Sequence, residues 1–172
     1  MAASGQQLSD AGAWFSEPRC DDLSPDALTA SWLAEEGLLT QRLRSLCGEA
    51  FRVQVLRNTA GDAETTGLHR EVLLCCDALP CIYAVTDVPA ATLAEHGWLA
   101  ELGDEPLGET LQTRADVTRS SFTYALLQPP SLPAEAGATT AAWARRSEFR
   151  IGTAALTVTE VFLDALHNAG NA

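Results

Sequence analysis

Residues 70–88, Arg-Glu-Val-Leu-Leu-Cys-Cys-Asp-Ala-Leu-Pro-Cys-Ile-Tyr-Ala-Val-Thr-Asp-Val, contain the pattern that decides the fold. Two apolar runs, 70–76 and 82–88, lie on either side of the short stretch Asp77-Ala78-Leu79-Pro80. Strand-length runs separated by so few residues predict an antiparallel hairpin, because parallel strands need a much longer crossover. We therefore expect a largely antiparallel sheet.

Three further segments predict strands that extend this hairpin into a sheet. Residues 51–57 alternate between apolar and polar side chains, and residues 117–127 and 149–163 are rich in β-branched and aromatic residues. The last segment is interrupted at Ile151-Gly152-Thr153-Ala154, which predicts two strands joined by a turn. The sheet should have about six strands.

Helices are predicted mainly before the strands. Ser24-Pro25-Asp26 places an N-cap serine before a proline at the first helical position, and this helix should end at Gly37. Thr40 and Gly48 bound a second short helix, and helical spacing returns over residues 92–102. Helices followed by neighbouring strands that need no helical crossover indicate an α+β fold.

Length and charge limit the domain count and the classes of partner. The chain has 172 residues, 47% of them hydrophobic, which suits a single domain. We expect that domain over residues 23–166, after a loose lead-in (1–22) and before a C-terminal tail (167–172). The net charge of −12 argues against nucleic acid as a partner, because binding polyanions requires a surplus of cations. We expect a monomer.

All eleven cationic side chains are arginines, and lysine is absent. This excludes a Schiff-base lysine and a phosphate-loop lysine. An anion that is recognised by side-chain charge must therefore be recognised by arginine, whose planar fork fits a carboxylate.

The cysteines and the first residues favour the cytoplasm. Residues 1–17 contain no basic residue and no apolar core of a signal peptide, and no apolar run reaches the ~18 residues of a membrane span. An odd cysteine count without a signal peptide predicts free thiols in a reducing compartment. No ligand spacing for a metal is present, so we expect no metal site. The five cysteines are Cys20, Cys47, Cys75, Cys76 and Cys81.

Two charged residues occupy strand positions whose neighbours are apolar. Alternation places Glu160 on one face with Leu156, Val158 and Phe162. It likewise places Arg70 with apolar neighbours, whereas His69 faces the other way. A buried charge without a partner is costly, so both residues need an explanation.

Two interpretations are open. Arg70 and Glu160 could pair in a buried salt bridge, or Arg70 could merely lie at a frayed strand end, with no further role for either residue. Alternatively, they could lie at opposite ends of a mostly apolar pocket for a small flat acid with a distal hydroxyl group. Arg70 would then bind the carboxylate and Glu160 the hydroxyl.

In combination, several ordered motifs resemble the chorismate pyruvate-lyase family, whose members release 4-hydroxybenzoate and pyruvate from chorismate. The resemblance covers about three quarters of the chain, from Trp32 to Leu163. Its motifs are Trp32-Leu33, Leu39-Thr40-Gln41-Arg42-Leu43, His69 to Cys75, Val88-Pro89 with Leu93, Leu102-Gly103, Pro106-Leu107-Gly108, Arg145-Arg146-Ser147 and Leu156 to Leu163.

The resemblance implies a six-stranded antiparallel sheet with helices and a ligand enclosed beneath flaps. It implies that Arg70 binds the ring carboxylate and that Glu160 contacts the hydroxyl end. It also implies that Leu39, on a flap, and Leu107 with Gly108, in the Pro-Leu-Gly turn, contact the ligand. No cofactor is implied. The expected function is a cofactor-independent carbon–oxygen lyase. The alternatives are a non-catalytic binding module of the same fold and an inactive homologue.

The chain departs from the family pattern at one position that concerns charge. Family members commonly carry an arginine shortly before the Val-Pro pair, where this chain has Val85. Chorismate has two carboxylates, so a cation near the second one should come from elsewhere. We expect Arg145 or Arg146 to supply it. The proline-rich stretch 129–142 is also longer than the family's connection and should form a surface loop.

Overall fold

A computed structural model describes residue 8 and residues 12–61 and 67–169. Over these residues the chain forms four α-helices and seven β-strands, connected in part by short 3₁₀ turns. The helices are α1 (Ala27–Leu33), α2 (Leu39–Cys47), α3 (Ala90–Glu95) and α4 (Leu107–Gln112). The strands are β1 (Phe51–Ala60), β2 (Leu68–Cys76), β3 (Leu79–Val88), β4 (Val117–Arg119), β5 (Thr123–Leu127), β6 (Ala142–Ile151) and β7 (Ala154–Phe162).

The strands form one antiparallel sheet in the order β1-β2-β3-β7-β6-β4, with β5 also paired to β6. The predicted β2–β3 hairpin is confirmed, as is the β6–β7 hairpin, which turns at Gly152 with a φ of 60°. A positive φ favours glycine there because other residues would strain the backbone. The α+β prediction is confirmed.

The sheet has seven strands because the predicted strand 117–127 is interrupted. Arg119 pairs with Phe149, and the next paired residue, Thr123, lies opposite Arg146. Four steps along this segment therefore correspond to three along β6, and the extra residue breaks the ladder. Two short strands, β4 and β5, replace the single predicted strand.

All three helix predictions need correction at their ends. The first helix ends at Leu33 rather than at Gly37, and α2 begins at Leu39, so Thr40 lies inside it and does not bound it. The first helix is capped by Asp26, whose carboxylate accepts hydrogen bonds from the Leu28 and Thr29 amides, so Ser24 is not the N-cap. The helix predicted over residues 92–102 ends at His96, where φ is −128°, and a 3₁₀ turn (Gly97–Glu101) follows α3. These differences all concern helix ends, which periodicity does not determine.

The two faces of the sheet are covered differently. On one face Leu73, Tyr83, Val85 and Val161 pack with Leu8 and with the 3₁₀ turn that contains Ala136. The other face packs against helices. Its apolar contacts are with Trp32, Leu33, Leu39 and Leu43 at one end and with Leu99, Leu102, Leu107 and Leu111 at the other. The helical layer covers the face that carries Arg70 and Glu160.

The expectation of five free thiols is wrong for two residues. Cys47, at the end of α2, and Cys76, at the end of β2, form a disulfide, while Cys20, Cys75 and Cys81 are free. The two partners are 29 residues apart in sequence. Their spacing carries no sign of pairing, which arises only because α2 folds back onto β2.

Parts of the expected lead-in and loop contact the sheet. Phe15 forms a β-bridge with Tyr124, and Ala136, within the proline-rich stretch, is buried. Residues 1–7 and 9–11 of the lead-in and 170–172 of the tail lie outside the described residues, and the domain boundaries stay a prediction. None of the described helices combines the length and apolar composition needed to cross a membrane.

His69 lies on the face away from Arg70, as alternation predicts, within a charged network. Its Nδ1 is 2.7 Å from Asp87 Oδ1, and its Nε2 is 2.8 Å from Glu71 Oε1. Glu71 also accepts a hydrogen bond from Tyr83 and pairs with Arg57. The hydrogen bonds to Asp87 and Glu71 raise the pKa of His69 from 6.5 to about 9.

This network predicts a stability loss in mild alkali. Because the folded-state pKa of His69 exceeds its unfolded value, its contribution is complete below about pH 6.5 and is lost as pH rises through about 9. The free energy of unfolding, measured with urea, should fall by about 2 kcal/mol over this window. His69→Gln should remove most of that pH dependence, and His96→Gln should retain it. An equal slope in wild type and His69→Gln would contradict the assignment.

Candidate active site

A cavity of about 80 Å³ lies between the helix-covered face of the sheet and two segments that close over it. The first flap is defined as residues 37–40, which lead into α2. The second flap is defined as residues 106–111, which comprise the N-cap residue Pro106 and all of α4 except Gln112. The sheet supplies side chains from β1, β2, β3, β4, β6 and β7. The lining residues are Gly37, Leu38, Leu39, Thr40, Val53, Arg70, Val72, Leu74, Ala84, Thr86, Pro106, Leu107, Gly108, Leu111, Arg119, Phe149, Val158 and Glu160.

The register of the sheet separates Arg70 from Glu160. Arg70 pairs with Thr86, and Thr86 pairs with Val158 on β7, two residues before Glu160. Two strand spacings and two residue rises place the Cα atoms of Arg70 and Glu160 about 12 Å apart. Their side chains therefore reach the cavity from different ends, with apolar residues between them.

Arg70 is a buried cation without an anionic partner among the described residues. It is 2% exposed, and its Nη2 donates to the carbonyl oxygens of Gly103 (2.9 Å) and Glu105 (3.1 Å). Its Nε is buried and donates to no described residue. Burial lowers the pKa of Arg70, and the charge of exposed Asp104 only partly opposes this effect. The Arg70 guanidinium thus retains both charge and donor capacity for an anion in the cavity.

Glu160 is held by two other arginines. Its Oε2 accepts hydrogen bonds from Arg145 Nε (2.7 Å) and Arg119 Nη2 (3.2 Å). Its Oε1 accepts none from any residue that the structure describes. The interpretation that pairs Arg70 with Glu160 in a salt bridge is wrong, because each has different partners. Glu160 presents one free carboxylate oxygen at its end of the cavity.

The flaps bring leucine side chains over the sheet. Leu39 is 4% exposed and Leu107 is 7% exposed, and both line the cavity. A Cβ atom on Gly108 would lie 3.1 Å from Leu38 Cδ2, so a glycine lets the two flaps approach closely. Arg44 Nη2 and Glu109 form a salt bridge of 3.4 Å between α2 and α4. The flaps therefore close against each other as well as onto the sheet.

Thr40 adds a polar group that the sequence reasoning did not select. It lines the cavity, and its buried Oγ1 has no hydrogen-bond partner among the described residues. Thr40 lies in the first turn of α2, whose N-cap residue, Leu38, makes no side-chain cap. The open amides of a helix N-terminus favour negative charge nearby.

The structure places Arg145 and Arg146, which we expect to supply a cation near the ligand, outside the residues that line this cavity. Arg145 has no exposed surface and runs behind Glu160 to the end of α1, where its Nη1 donates to the carbonyls of Trp32, Leu33 and Glu35. Arg146 lies on the other face, with its guanidinium 3.7 Å from the Trp14 ring centroid. Adjacent strand residues point to opposite faces, so the two cannot act together.

Val85 also points away from the cavity. It belongs to the apolar cluster on the opposite face and is 1% exposed. Its neighbours Ala84 and Thr86 line the cavity instead. The absence of an arginine at position 85 therefore leaves the charge of the cavity lining unchanged.

Arg119 is the second cation in the lining, and sequence reasoning missed it. It is the last residue of β4, which has only three residues, so alternation along this strand does not assign a face to Arg119. Phe149, its cross-strand neighbour on β6, also lines the cavity. The pairing of β4 with β6, which no local pattern reveals, is what brings Arg119 to Glu160.

Comparison with known proteins gives a family match over most of the chain. The chorismate lyase family model matches residues 11–169. The chain belongs to the chorismate lyase family. Relatives named "Probable chorismate pyruvate-lyase" include one from Ralstonia nicotianae, 39% identical over 80% of this chain and 82% of its own. Another from Pseudomonas aeruginosa is 34% identical over 89% of this chain and 92% of its own. The expected family is confirmed.

One solved structure gives a weaker likeness. It is a GntR-family transcriptional regulator from Bacillus cereus, with a TM-score of 0.45 and 14% identity, and the match covers 67% of this chain and 93% of that one. For this member of the chorismate lyase family, the described residues include no group of three or more His, Cys, Asp or Glu side chains placed to bind a metal ion.

Because Arg70 and Arg145 have different partners, we expect their substitution to lower stability by different amounts. Arg145→Met would leave Glu160 with one fewer cation and three carbonyls without their donor. It should lower the free energy of unfolding by about 3–5 kcal/mol, as expected when one partner of a buried pair is removed. Arg70→Met leaves no carboxylate unpaired and should lower the free energy of unfolding by less than about 1.5 kcal/mol. Urea denaturation measures both values, and equal losses would contradict this distinction.

Proposed function

We propose that this protein is a chorismate pyruvate-lyase, which converts chorismate to 4-hydroxybenzoate and pyruvate. Its membership of the chorismate lyase family and the names of its relatives support the reaction. The observation that carries the proposal is Arg70, a buried guanidinium that lines an apolar cavity, has no carboxylate partner among the described residues and lies opposite Glu160.

The two ends of the cavity suit the two ends of the substrate ring. Arg70 binds the ring carboxylate through donors that no described residue uses, as charge-assisted hydrogen bonds favour. Glu160 Oε1 accepts a hydrogen bond from the ring hydroxyl, while Oε2 stays paired with Arg145 and Arg119. The ring lies between them against Val72, Ala84 and Val158.

The reaction breaks the bond between the ring and the ether oxygen of the enolpyruvyl group. The ring carbon that bears the hydroxyl loses its hydrogen, and the methylene carbon of the departing group gains a proton, which gives pyruvate. The step is redox-neutral and is driven by aromatisation, so the proposal includes no cofactor. What the protein contributes is a fixed substrate conformation, matched charge and exclusion of water.

The flaps supply that exclusion. Leu39 and Leu107 close the apolar walls, and Gly108 permits the approach of Leu38. Since both flaps lie over the cavity, we expect their movement to govern substrate entry and product exit. A product that keeps both the carboxylate and the hydroxyl should therefore leave slowly.

The proposal also covers the location, assembly and pathway that we expect from the sequence. The protein acts as a cytoplasmic monomer, and its product supplies the aromatic ring of ubiquinone. It binds no nucleic acid, which is consistent with the net charge of −12.

Purified protein incubated with chorismate should release 4-hydroxybenzoate and pyruvate in equal amounts, measured by chromatography and by a coupled lactate dehydrogenase assay. Arg70→Gln should lower kcat/KM by about 10- to 100-fold, the effect of losing a charge-assisted contact. It should also weaken 4-hydroxybenzoate binding.

Arg52→Gln is the matched control, because Arg52 is an exposed arginine on β1 that pairs with Asp77. It should leave both values unchanged. Binding of 4-hydroxybenzoate without turnover of chorismate by folded wild-type protein would contradict the lyase assignment and favour a binding module or an inactive homologue.

A further inference from the structure

Arg119 stands at the junction of two pockets. It lines the cavity that contains Arg70 and Glu160, and it also lines an adjoining pocket of about 280 Å³. The two share lining residues from both flaps and from β4 and β6. The shared residues are Gly37, Leu38, Gly108, Leu111, Arg119 and Phe149. The two pockets therefore adjoin at the Arg119 side chain and at the flap residues that they share.

Aromatic rings fix the plane of this guanidinium. Its Cζ atom lies 4.4 Å from the Phe122 ring centroid and 4.7 Å from that of Phe149. Its Nε donates to Ser147 Oγ at 2.8 Å, and its Nη2 donates to Glu160 Oε2 at 3.2 Å. Its Nη1 donates to no residue that the structure describes. A planar cation held in this way is pre-organised for a further anion.

The charges at this end of the cavity do not cancel. Arg119 and Arg145 both donate to one carboxylate, that of Glu160, so one positive charge is in surplus. Arg145 is enclosed, with no exposed surface, whereas the side chain of Arg119 is 21% exposed. The surplus charge is thus accessible only through Arg119. The other cation that lines the adjoining pocket, Arg114, is 3.7 Å from Asp116 Oδ1.

We propose that Arg119 binds the second carboxylate of the substrate, that of the enolpyruvyl side chain. This inference rests on the proposed function and extends it. In chorismate the enolpyruvyl ether is attached to the ring carbon next to the one that bears the hydroxyl. A substrate whose hydroxyl contacts Glu160 must therefore carry its side chain at the Glu160 end, where Arg119 lies and the adjoining pocket opens.

The other positions that could supply a cation are placed less well to bind the enolpyruvyl carboxylate. Arg70 is at the opposite end of the cavity, Arg146 is on the other face of the sheet, and the side chain of position 85 points away from the cavity. Among the cavity-lining residues, Arg119 is the cation that remains after Arg70 is assigned to the ring carboxylate.

The test compares substrate with product, because 4-hydroxybenzoate lacks the enolpyruvyl carboxylate. Arg119→Met keeps an apolar stem between Phe122 and Phe149 but removes the charge. We expect kcat/KM for chorismate to fall by about 10- to 100-fold. The Kd for 4-hydroxybenzoate, measured by calorimetry, should change by less than about threefold. Arg119→Lys should recover part of the lost kcat/KM, since it restores a positive charge.

Arg150→Gln is the matched control, because Arg150 lies on β6 opposite Thr118, next to the Arg119–Phe149 pair, and is exposed. It should leave both constants unchanged. Thermal unfolding of each variant shows whether a loss of activity results from misfolding. If Arg119→Met misfolds, Arg119→Lys is compared with wild type in its place.

Two results would overturn the inference. If Arg119 acts only by positioning Glu160, chorismate kinetics and 4-hydroxybenzoate binding should weaken by similar factors. If neither the kcat/KM for chorismate nor the Kd for 4-hydroxybenzoate changes, Arg119 makes no contact that contributes to turnover or binding. Failure of the proposed function looks different, because wild-type protein would then not turn over chorismate. Calorimetry with chorismate itself would still decide whether Arg119→Met weakens its binding more than that of 4-hydroxybenzoate.

Discussion

The guanidinium of Arg145 connects the sheet to the helical layer, and the geometry of the cavity depends on it. Its Nε holds Glu160 on the neighbouring strand, and its Nη1 binds the carbonyls of Trp32, Leu33 and Glu35 at the end of α1. The last carbonyls of a helix lack intrahelical donors, so a buried cation satisfies them well. The first flap begins two residues after Glu35. One side chain therefore fixes both the carboxylate at one end of the cavity and the chain that closes it.

Charge in this protein matters at two different scales. The molecule carries a net charge of −12, which opposes the approach of any anion. At physiological salt, however, the field of exposed acids is screened over about 8 Å. Inside the cavity the lining residues Arg70 and Arg119, with Arg145 behind them, face the single carboxylate of Glu160. Since buried charges are screened much less, a small dianion meets a local excess of positive charge despite the acidic surface.

The sequence allowed the faces of the strands to be predicted, but not the partners of the residues on them. Alternation along β2 and β7 was sufficient to place Arg70 and Glu160 among apolar neighbours on the helix-covered face. It could not distinguish which arginine pairs with Glu160, because that depends on β6 lying next to β7 and on β4 lying next to β6. The same long-range pairing hid Arg119, and it brought the Cys47–Cys76 disulfide together from residues with no local signature. The local pattern of apolar and polar residues indicates which side chains are buried. Which residues pair with one another depends on how distant strands are ordered in the sheet.

The arrangement of cations has a consequence for how the site distinguishes substrate from product. Both compounds carry the ring carboxylate and the hydroxyl, so in the proposed arrangement contacts at Arg70 and Glu160 would bind both and would not distinguish one from the other. The enolpyruvyl group is the part that changes, since its ether bond to the ring breaks and its carboxylate leaves with pyruvate. A contact between Arg119 and that carboxylate is therefore lost when the product forms. In the proposed arrangement, the buried charge of Arg70 would favour binding of either aromatic acid, and the surplus charge at Arg119 would favour only the compound that still carries the side chain. Under this proposal, one end of the cavity would bind the group that substrate and product share, and the other end would bind the group that distinguishes them.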